Sequence, residues 1–184
     1  WAVSVPDAQA LSKALEAGKN TTLVAFHWVE FGHCEVAAQG AEPVLLTAGD
    51  MVFVWGGAAH QISVGRPQTV QTFASLLKGT NTCAPEVTGQ APGTSLICGV
   101  FRLHHTLLNP LFGCLPTLMK TGMGSNGSLH DLAGVTALLT HEIRRSRTGT
   151  GFVIERLLEI LCAQSIKCYI ESAHKGTAGW FTAI

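Results

Sequence analysis

The sequence has 184 residues, and 47% of them are hydrophobic, so the chain can bury a sizeable core and disorder is excluded. Twelve basic residues balance twelve acidic ones, which argues against a nucleic-acid-binding surface within this chain. Charged residues make up only 13%, about half the usual share, which predicts that another subunit or domain covers part of the surface.

Neither a membrane span nor a disulfide framework is expected. No apolar run approaches the roughly 18 residues that a membrane-spanning helix needs. Six cysteines occur without a Cys-x-x-Cys pair and mostly in apolar surroundings. We therefore expect buried thiols in the reducing cytoplasm and no contact with a membrane.

The first hundred residues are typical of short strands separated by glycine-containing turns. A helix is predicted over 8–17, capped by Asp7 and carrying Leu11 on its apolar face. Lys78–Gly93 is predicted to be a long loop. The predicted strands are Thr22–Phe31, a strand around Val36, Pro43–Leu46, Met51–Trp55, His60–Val64, Thr69–Leu77 and Thr94–Leu103. This pattern predicts a small β-barrel or β-sandwich.

The remaining residues favour helices. A short helix is predicted from Pro110 to Leu115. Apolar residues at helical spacing then predict a helix over 129–143, and a second long helix is predicted over 152–172. Two helices with wide apolar faces are typical of a subunit interface, so we expect a homodimer. We therefore divide the chain into a barrel region, 1–105, and a helical segment, 106–184.

Three metal-capable side chains fall on apolar faces of the predicted strands. His27, His60 and Cys98 each have apolar residues two positions away along the strand, so alternation turns them towards the interior. Imidazole and thiolate are preferred ligands of zinc. We predict zinc, or a similar divalent transition metal ion, bound by these three residues and by His104 or His105. The alternative is that they are unrelated core side chains.

One segment resembles a known family motif. Residues 49–60, Gly-Asp-Met-Val-Phe-Val-Trp-Gly-Gly-Ala-Ala-His, resemble the second half of a cupin motif: Gly-Asp opens a strand, and a histidine follows a glycine-rich turn. Residues 26–32 resemble the strand ending in glycine that precedes it. Trp55 stands where the turn usually has proline. The His-x-His pair and following Glu of enzymatic cupins are absent, which argues against a dioxygenase-type or isomerase-type metal site.

A narrower resemblance covers most of the chain. Residues 97–105, Ile-Cys-Gly-Val-Phe-Arg-Leu-His-His, together with Leu115-Pro116 and Gly179-Trp180, are similar to the cupin-like sensor domains of AraC-type transcription regulators. The resemblance implies an α+β fold, with a small cupin-type antiparallel β-barrel (double-stranded β-helix) followed by a C-terminal helical hairpin. Strict alternation favours His104 as the fourth ligand, whereas the family spacing favours His105, which we choose, provided that the strand bulges or ends first.

The same resemblance implies a function. It describes a cytoplasmic regulatory sensor, not an enzyme, that binds a metal ion and/or a small effector in the barrel. In that family, Gly-Trp leads within a few residues into a domain with two helix-turn-helix motifs. We therefore expect DNA to be contacted only through a C-terminal domain absent from this chain.

Two alternatives stay open. One is a metal-dependent cupin enzyme acting on a small molecule, for which Glu30 and Asp50 are the only nearby carboxylates; alternation puts Glu30 on the face opposite His27. The other is an oxidant sensor that acts through the thiol of Cys98, since a thiol beside histidines can be held as a reactive thiolate.

Overall fold

The computed structural model describes residues 1–16, 21–67, 69–78, 93–104, 114–122, 129–145 and 149–174. The chain divides into two compact units, Trp1–Lys120 and Thr121–Ile184. The sequence placed a boundary after residue 105, whereas the structure also brings a strand at Leu118–Thr121 into a sheet of the first unit. Most of the predicted helix at 110–115 and most of the predicted loop at 78–93 lie outside the described residues.

Strands make up most of the described first unit. They are β1 Ala2–Val5, β2 Thr21–Phe31, β3 His33–Ala38, β4 Val44–Thr47, β5 Met51–Val54, β6 His60–Ser63, β7 Val70–Thr72, β8 Ser95–His104 and β9 Leu118–Thr121. The helices are α1 Ala8–Ala14, α2 Phe73–Lys78, α3 Leu129–Arg145 and α4 Thr150–His174, and a 3₁₀ turn spans Trp55–Gly57.

Most predicted elements are confirmed, but the strands β1 and β9 were not predicted, and one predicted strand is wrong in part. The helix α1 is capped as expected, because the Asp7 carboxylate accepts a hydrogen bond from the Ala10 backbone N–H at 2.9 Å. The predicted strand at 69–77 is wrong over its second half, where α2 forms. There the Thr72 hydroxyl accepts a hydrogen bond from the Ser75 N–H at 3.3 Å and so caps the new helix.

The strands form two sheets that are not shown to close into a barrel within the described residues. One sheet has the order β4-β3-β6-β1-β7, and the other has the order β8-β2-β5-β9. The predicted antiparallel pairing holds for β1 with β6, for β2 with β5 and β8, and for β3 with β4 and β6, but β1 also pairs in parallel with β7, so the sheets are mixed. The strand β1 lies between β6 and β7, which run in opposite directions, so it must be parallel to one of them.

The two sheets enclose one apolar core. Its residues come from both sheets, and they are Ala25, Val29, Cys34, Val36, Leu46, Val52, Val54, Ile62 and Leu118. In β2 the side chains of Leu23, Ala25, His27 and Val29 are buried, as alternation predicted, whereas Phe31 at the end of the strand is 49% exposed. The interior therefore lies between β2 and β5 on one side and β3 and β6 on the other.

Aromatic rings cover the opposite face of the second sheet. Phe26, Phe53 and Phe101 are almost fully buried, and the ring centroids of Phe26 and Phe101 lie 5.1 Å apart. Phe26 is paired in register with Gly99 on β8. A Cβ atom at Gly99 would lie 2.4 Å from the Phe26 ring, so glycine leaves the space in which that ring packs.

The substitution Gly99→Ala is expected to destabilise the first unit by about 1–3 kcal/mol, because the buried Phe26 ring cannot move aside without straining its neighbours. Urea unfolding measures the loss. Gly93→Ala is the matched control, since a Cβ there meets no atom within 4 Å. Adding Phe26→Leu to Gly99→Ala should recover part of the loss. Equal losses for Gly99→Ala and Gly93→Ala would contradict this account.

The second unit contains the two predicted long helices. Helices α3 and α4 pack against each other, and Leu139 and Leu161 are completely buried. Leu138, Ile143, Phe152, Val153 and Ile160 are exposed apolar residues on these helices. No helix among the described residues is long and apolar enough to cross a membrane.

Candidate metal centre

His27 and His60 meet in the interior of the first unit. His27 lies on β2 and His60 is the first residue of β6, so each sheet contributes one ring. Both side chains are buried, with 3% and 5% exposure. Their Nε2 atoms lie 2.8 Å apart, and their ring centroids lie 5.0 Å apart. The packing of the two sheets therefore converges two imidazole nitrogens on one point.

The turn before β6 orients the ring of His60. Gly56 and Gly57 both have positive φ angles, +68° and +65°, a conformation that favours glycine and reverses the chain. His60 Nδ1 lies 3.0 Å from the Ala58 carbonyl oxygen, which can only accept, so Nδ1 carries the proton. In a neutral ring the lone pair is then on Nε2, the atom that faces His27.

The hydrogen bonding of the pair is incomplete. His27 Nδ1 is buried and has no hydrogen-bond partner. If His27 carries its proton on Nε2, it donates to His60 and leaves a buried lone pair on Nδ1. If the proton is on Nδ1, two Nε2 lone pairs face each other. Both tautomers leave a polar group unsatisfied, which is costly in an apolar interior.

The pair fits as part of a metal-ligand set. Two nitrogens at zinc–nitrogen bond lengths in tetrahedral geometry are separated by about 3.3 Å, so the two Nε2 atoms, which lie at a hydrogen-bond distance of 2.8 Å, would have to move apart slightly to share an ion. A metal-bound histidine commonly donates its other N–H to a backbone carbonyl, as His60 does to Ala58. A cation between the rings would use both lone pairs.

Both histidines are held in the neutral form. Burial, reinforced by the neighbouring His60, lowers the pKa of His27 from 6.5 to about 3. Burial also lowers the pKa of His60, partly offset by the hydrogen bond to Ala58. Neutral imidazole is the form that binds a metal ion, so the pair is ready to act as a ligand at neutral pH.

Of the other predicted ligands, Cys98 does not join the pair. Cys98 is opposite His27 in the β2–β8 register, but its side chain is exposed. The side chain of His104 and the whole of His105 lie outside the described residues. Within the described part of the chain, no three metal-capable side chains form a group. The structure thus brings together two of the predicted ligands, and the four-ligand set stays a prediction.

The carboxylate of the Gly-Asp motif has a structural role. Asp50 Oδ2 accepts hydrogen bonds from the Thr47 N–H and hydroxyl at 2.8 and 2.9 Å, and Lys120 Nζ lies 2.9 Å away. Burial favours a higher pKa for Asp50, but these hydrogen bonds and the Lys120 charge outweigh it, and the pKa is lowered. Gly49, with φ +88°, occupies the turn position that needs a positive φ.

Sequence reasoning missed two contributors to this region. The Ala58 carbonyl fixes the His60 tautomer, but no side-chain pattern marks a backbone acceptor. Lys120 holds Asp50 from a distant part of the chain, and a lone lysine in a short strand carries no signal of that partner. Glu30, the other carboxylate considered, accepts a hydrogen bond from Ser95 Oγ at 3.0 Å.

Comparison with known families agrees with these features. A family profile described as Cupin matches residues 1–171. This match spans far more than half of the chain, so the protein belongs to the cupin family. No curated protein sequence shows a significant match to the chain. The molecule is thus a cupin domain with mixed β-sheets and C-terminal helices.

Acidification is expected to destabilise the metal-free protein through the histidine pair. An unfolded histidine titrates near 6.5, whereas the pKa of His27 in the folded chain is about 3, so only the unfolded state binds this proton between those values. The contribution of the neutral His27 ring to the free energy of unfolding is fully present above pH 6.5. It falls as the pH drops towards 3, by up to about 1.4 kcal/mol per pH unit for one proton. Urea unfolding with a chelator present measures it.

The variant His27→Leu should show a shallower pH dependence, since it removes the buried titrating ring. His33→Gln replaces an exposed histidine and serves as the control, which should leave the contribution of the pair intact. A pH dependence in His27→Leu equal to that of the unmodified protein would show that the pair is not buried in the neutral form.

Proposed function

We propose that this cupin domain is the sensor domain of an AraC-type transcription regulator, and that it binds zinc or a similar divalent transition metal ion at His27 and His60. The observation that carries the proposal is the 2.8 Å contact between the two buried Nε2 atoms. The balanced charge of the chain gives no net positive field to hold DNA, which supports a separate DNA-contacting domain outside this chain.

The ligand set is completed from β8 and the residue that follows it. Cys98 is next to His27 in the sheet register, and His105 comes directly after the end of β8. A movement of this strand towards the interior would bring a thiolate and a third imidazole to the histidine pair. A bound cation would accept the lone pairs of both Nε2 atoms.

The geometry favours a sensor over an enzyme. Metal-dependent catalysis on a small molecule needs a general base beside the ion. Within the described residues no carboxylate joins the two histidines in a group of three. The Asp50 carboxylate is engaged by Thr47 and Lys120. Asp50 therefore stabilises a turn, and the described residues offer no carboxylate beside the pair to move a proton.

Binding at the pair is coupled to the packing of the two sheets. His27 belongs to the sheet that contains β8, and His60 belongs to the sheet that contains β1 and β3. A ligand that contacts both rings stabilises the arrangement in which the sheets hold this separation. Such a ligand can transmit a signal only if it binds this arrangement of the sheets more tightly than another arrangement.

The metal proposal predicts that the purified domain binds about one zinc ion per chain, measured by elemental analysis, and that it takes up cobalt with visible absorption. His27→Ala and His60→Ala should each lower the affinity by about tenfold or more, while His33→Ala should not. Cys98→Ser should remove the thiolate-to-cobalt band if Cys98 is a ligand.

The regulatory part of the proposal is tested on the full-length protein by mobility shift with and without zinc. A zinc-dependent change in DNA affinity that is lost in His27→Ala supports it. Absence of zinc binding by the domain contradicts the metal site, and absence of DNA binding by the intact protein contradicts the regulator. A response to hypochlorite that is lost only in Cys98→Ser would instead support the oxidant-sensor alternative, which the exposure of Cys98 favours.

We further propose that the sensor is a homodimer formed through α3 and α4. Leu138 and Ile160 remain 57% and 47% exposed, although both are large apolar residues on helices. A symmetric pairing of these helices would remove that apolar surface from water.

The substitution Leu138→Glu is expected to convert the dimer to a monomer in sedimentation experiments, weakening association by about tenfold or more, because it places a charge in an apolar interface. Ala133→Glu adds the same charge at another exposed position of α3 and is the control. A protein that is monomeric before any substitution, at tens of micromolar as a rough working concentration, would contradict the dimer.

A further inference from the structure

A small cavity lies between α1 and the sheets of the first unit, and it reaches His60. Ala8 and Leu11 line it from the helix, and Leu23 and Val54 line it from the strands. Its volume is about 10 Å³, which is enough for one water molecule or one ion and for nothing larger. With α1 in this position, the approach to the histidine pair through the cavity excludes an organic ligand.

Helix α1 is attached to the rest of the unit by few contacts. Leu11 is its only buried residue, with 3% exposure. Ala8 lies so close to the turn before β6 that a Cβ at Gly57 would come within 2.2 Å of it. At the other end, Arg102 Nη2 on β8 donates a hydrogen bond to the Leu15 carbonyl at 2.8 Å.

We propose that α1 is a lid over the His27–His60 pair, and that an ion enters and leaves the pair only when this lid undocks. This inference rests on the proposed function, because it takes the histidine pair as the binding centre. The docked lid limits the occupant of the cavity to a single ion or water molecule, and the undocked lid gives solvent access to His60.

Undocking does not require the sheets to unfold. A helix of seven residues has little stability of its own, so the burial of Leu11 and the contacts at the two ends of α1 contribute to holding it in place. Segments held by few buried contacts open locally, at a lower free energy than global unfolding. The strands that carry His27 and His60 are held by their sheet partners, whereas α1 belongs to neither sheet.

The test is the rate at which diethyl pyrocarbonate acylates His60 in the metal-free protein, followed by peptide mass spectrometry. Leu11→Ala removes the apolar anchor and is expected to accelerate acylation by about tenfold or more. Arg102→Ala removes the hydrogen bond at the other end and should also accelerate it. Gln9→Ala changes an exposed position of the same helix and should leave the rate unchanged.

Equal rates in Leu11→Ala and Gln9→Ala would overturn the lid, as would a His60 in the unmodified protein that reacts as fast as the exposed His33. If Leu11→Ala fails to fold by circular dichroism, Arg102→Ala decides the question, because Arg102 is exposed and outside the core. An unchanged rate in Arg102→Ala would then overturn the proposal.

A parallel measurement separates the lid from the proposed function. Zinc release to a chelator should be faster in Leu11→Ala than in Gln9→Ala, and this result supports both proposals. If no variant binds zinc, the proposed function fails, while the acylation rates, which need no metal, still support or overturn the lid. If zinc binds but its release is the same in all variants, the lid is overturned and the metal site stands.

Discussion

The contact between His27 and His60 depends on two sheets that face each other across an apolar interior. Two polar rings in such a core are costly unless their nitrogens find partners. Here the protein satisfies His60 Nδ1 through the Ala58 carbonyl but leaves His27 Nδ1 without a partner in the described structure. Burial also keeps both rings neutral at neutral pH. The two rings are neutral, their Nε2 atoms meet at one point, and their hydrogen bonding is incomplete. Because these properties suit a pair of metal ligands, we assign the binding role to His27 and His60.

The turns around β5 give His60 its position. The turn that ends at Asp50 starts β5, and its hydrogen bonds to Thr47 and the ion pair with Lys120 hold it closed. The two glycines after Trp55 then reverse the chain so that His60 begins β6. The glycine and aspartate of the cupin-like motif therefore stabilise the turn, and the histidine at the end of the motif is the candidate ligand.

Alternation along strands was enough to predict that His27 and His60 face the interior, because buried neighbours two residues away mark the inner face. It could not predict their 2.8 Å separation, which is set by how β2 and β6 pack in different sheets. The same reasoning placed Cys98 beside His27 in the register but failed to predict its exposure, since periodicity carries no information about what covers a face. The helix α2 could not be predicted because the apolar composition of 73–77 suits a strand as well as a helix. The hydrogen bond that the Thr72 hydroxyl accepts from the Ser75 N–H favours the helix.

The central claim is that His27 and His60 are a buried neutral pair whose Nε2 atoms share one ligand. Long-range proton–nitrogen NMR spectra of the histidine rings, recorded with and without zinc, test it most directly. The account predicts that His60 carries its proton on Nδ1, that neither ring takes up a second proton near its ordinary pKa, and that zinc shifts the Nε2 resonances of both rings together. Two rings that titrate independently near pH 6.5, the ordinary histidine value, or a zinc-induced shift in only one ring, would contradict it.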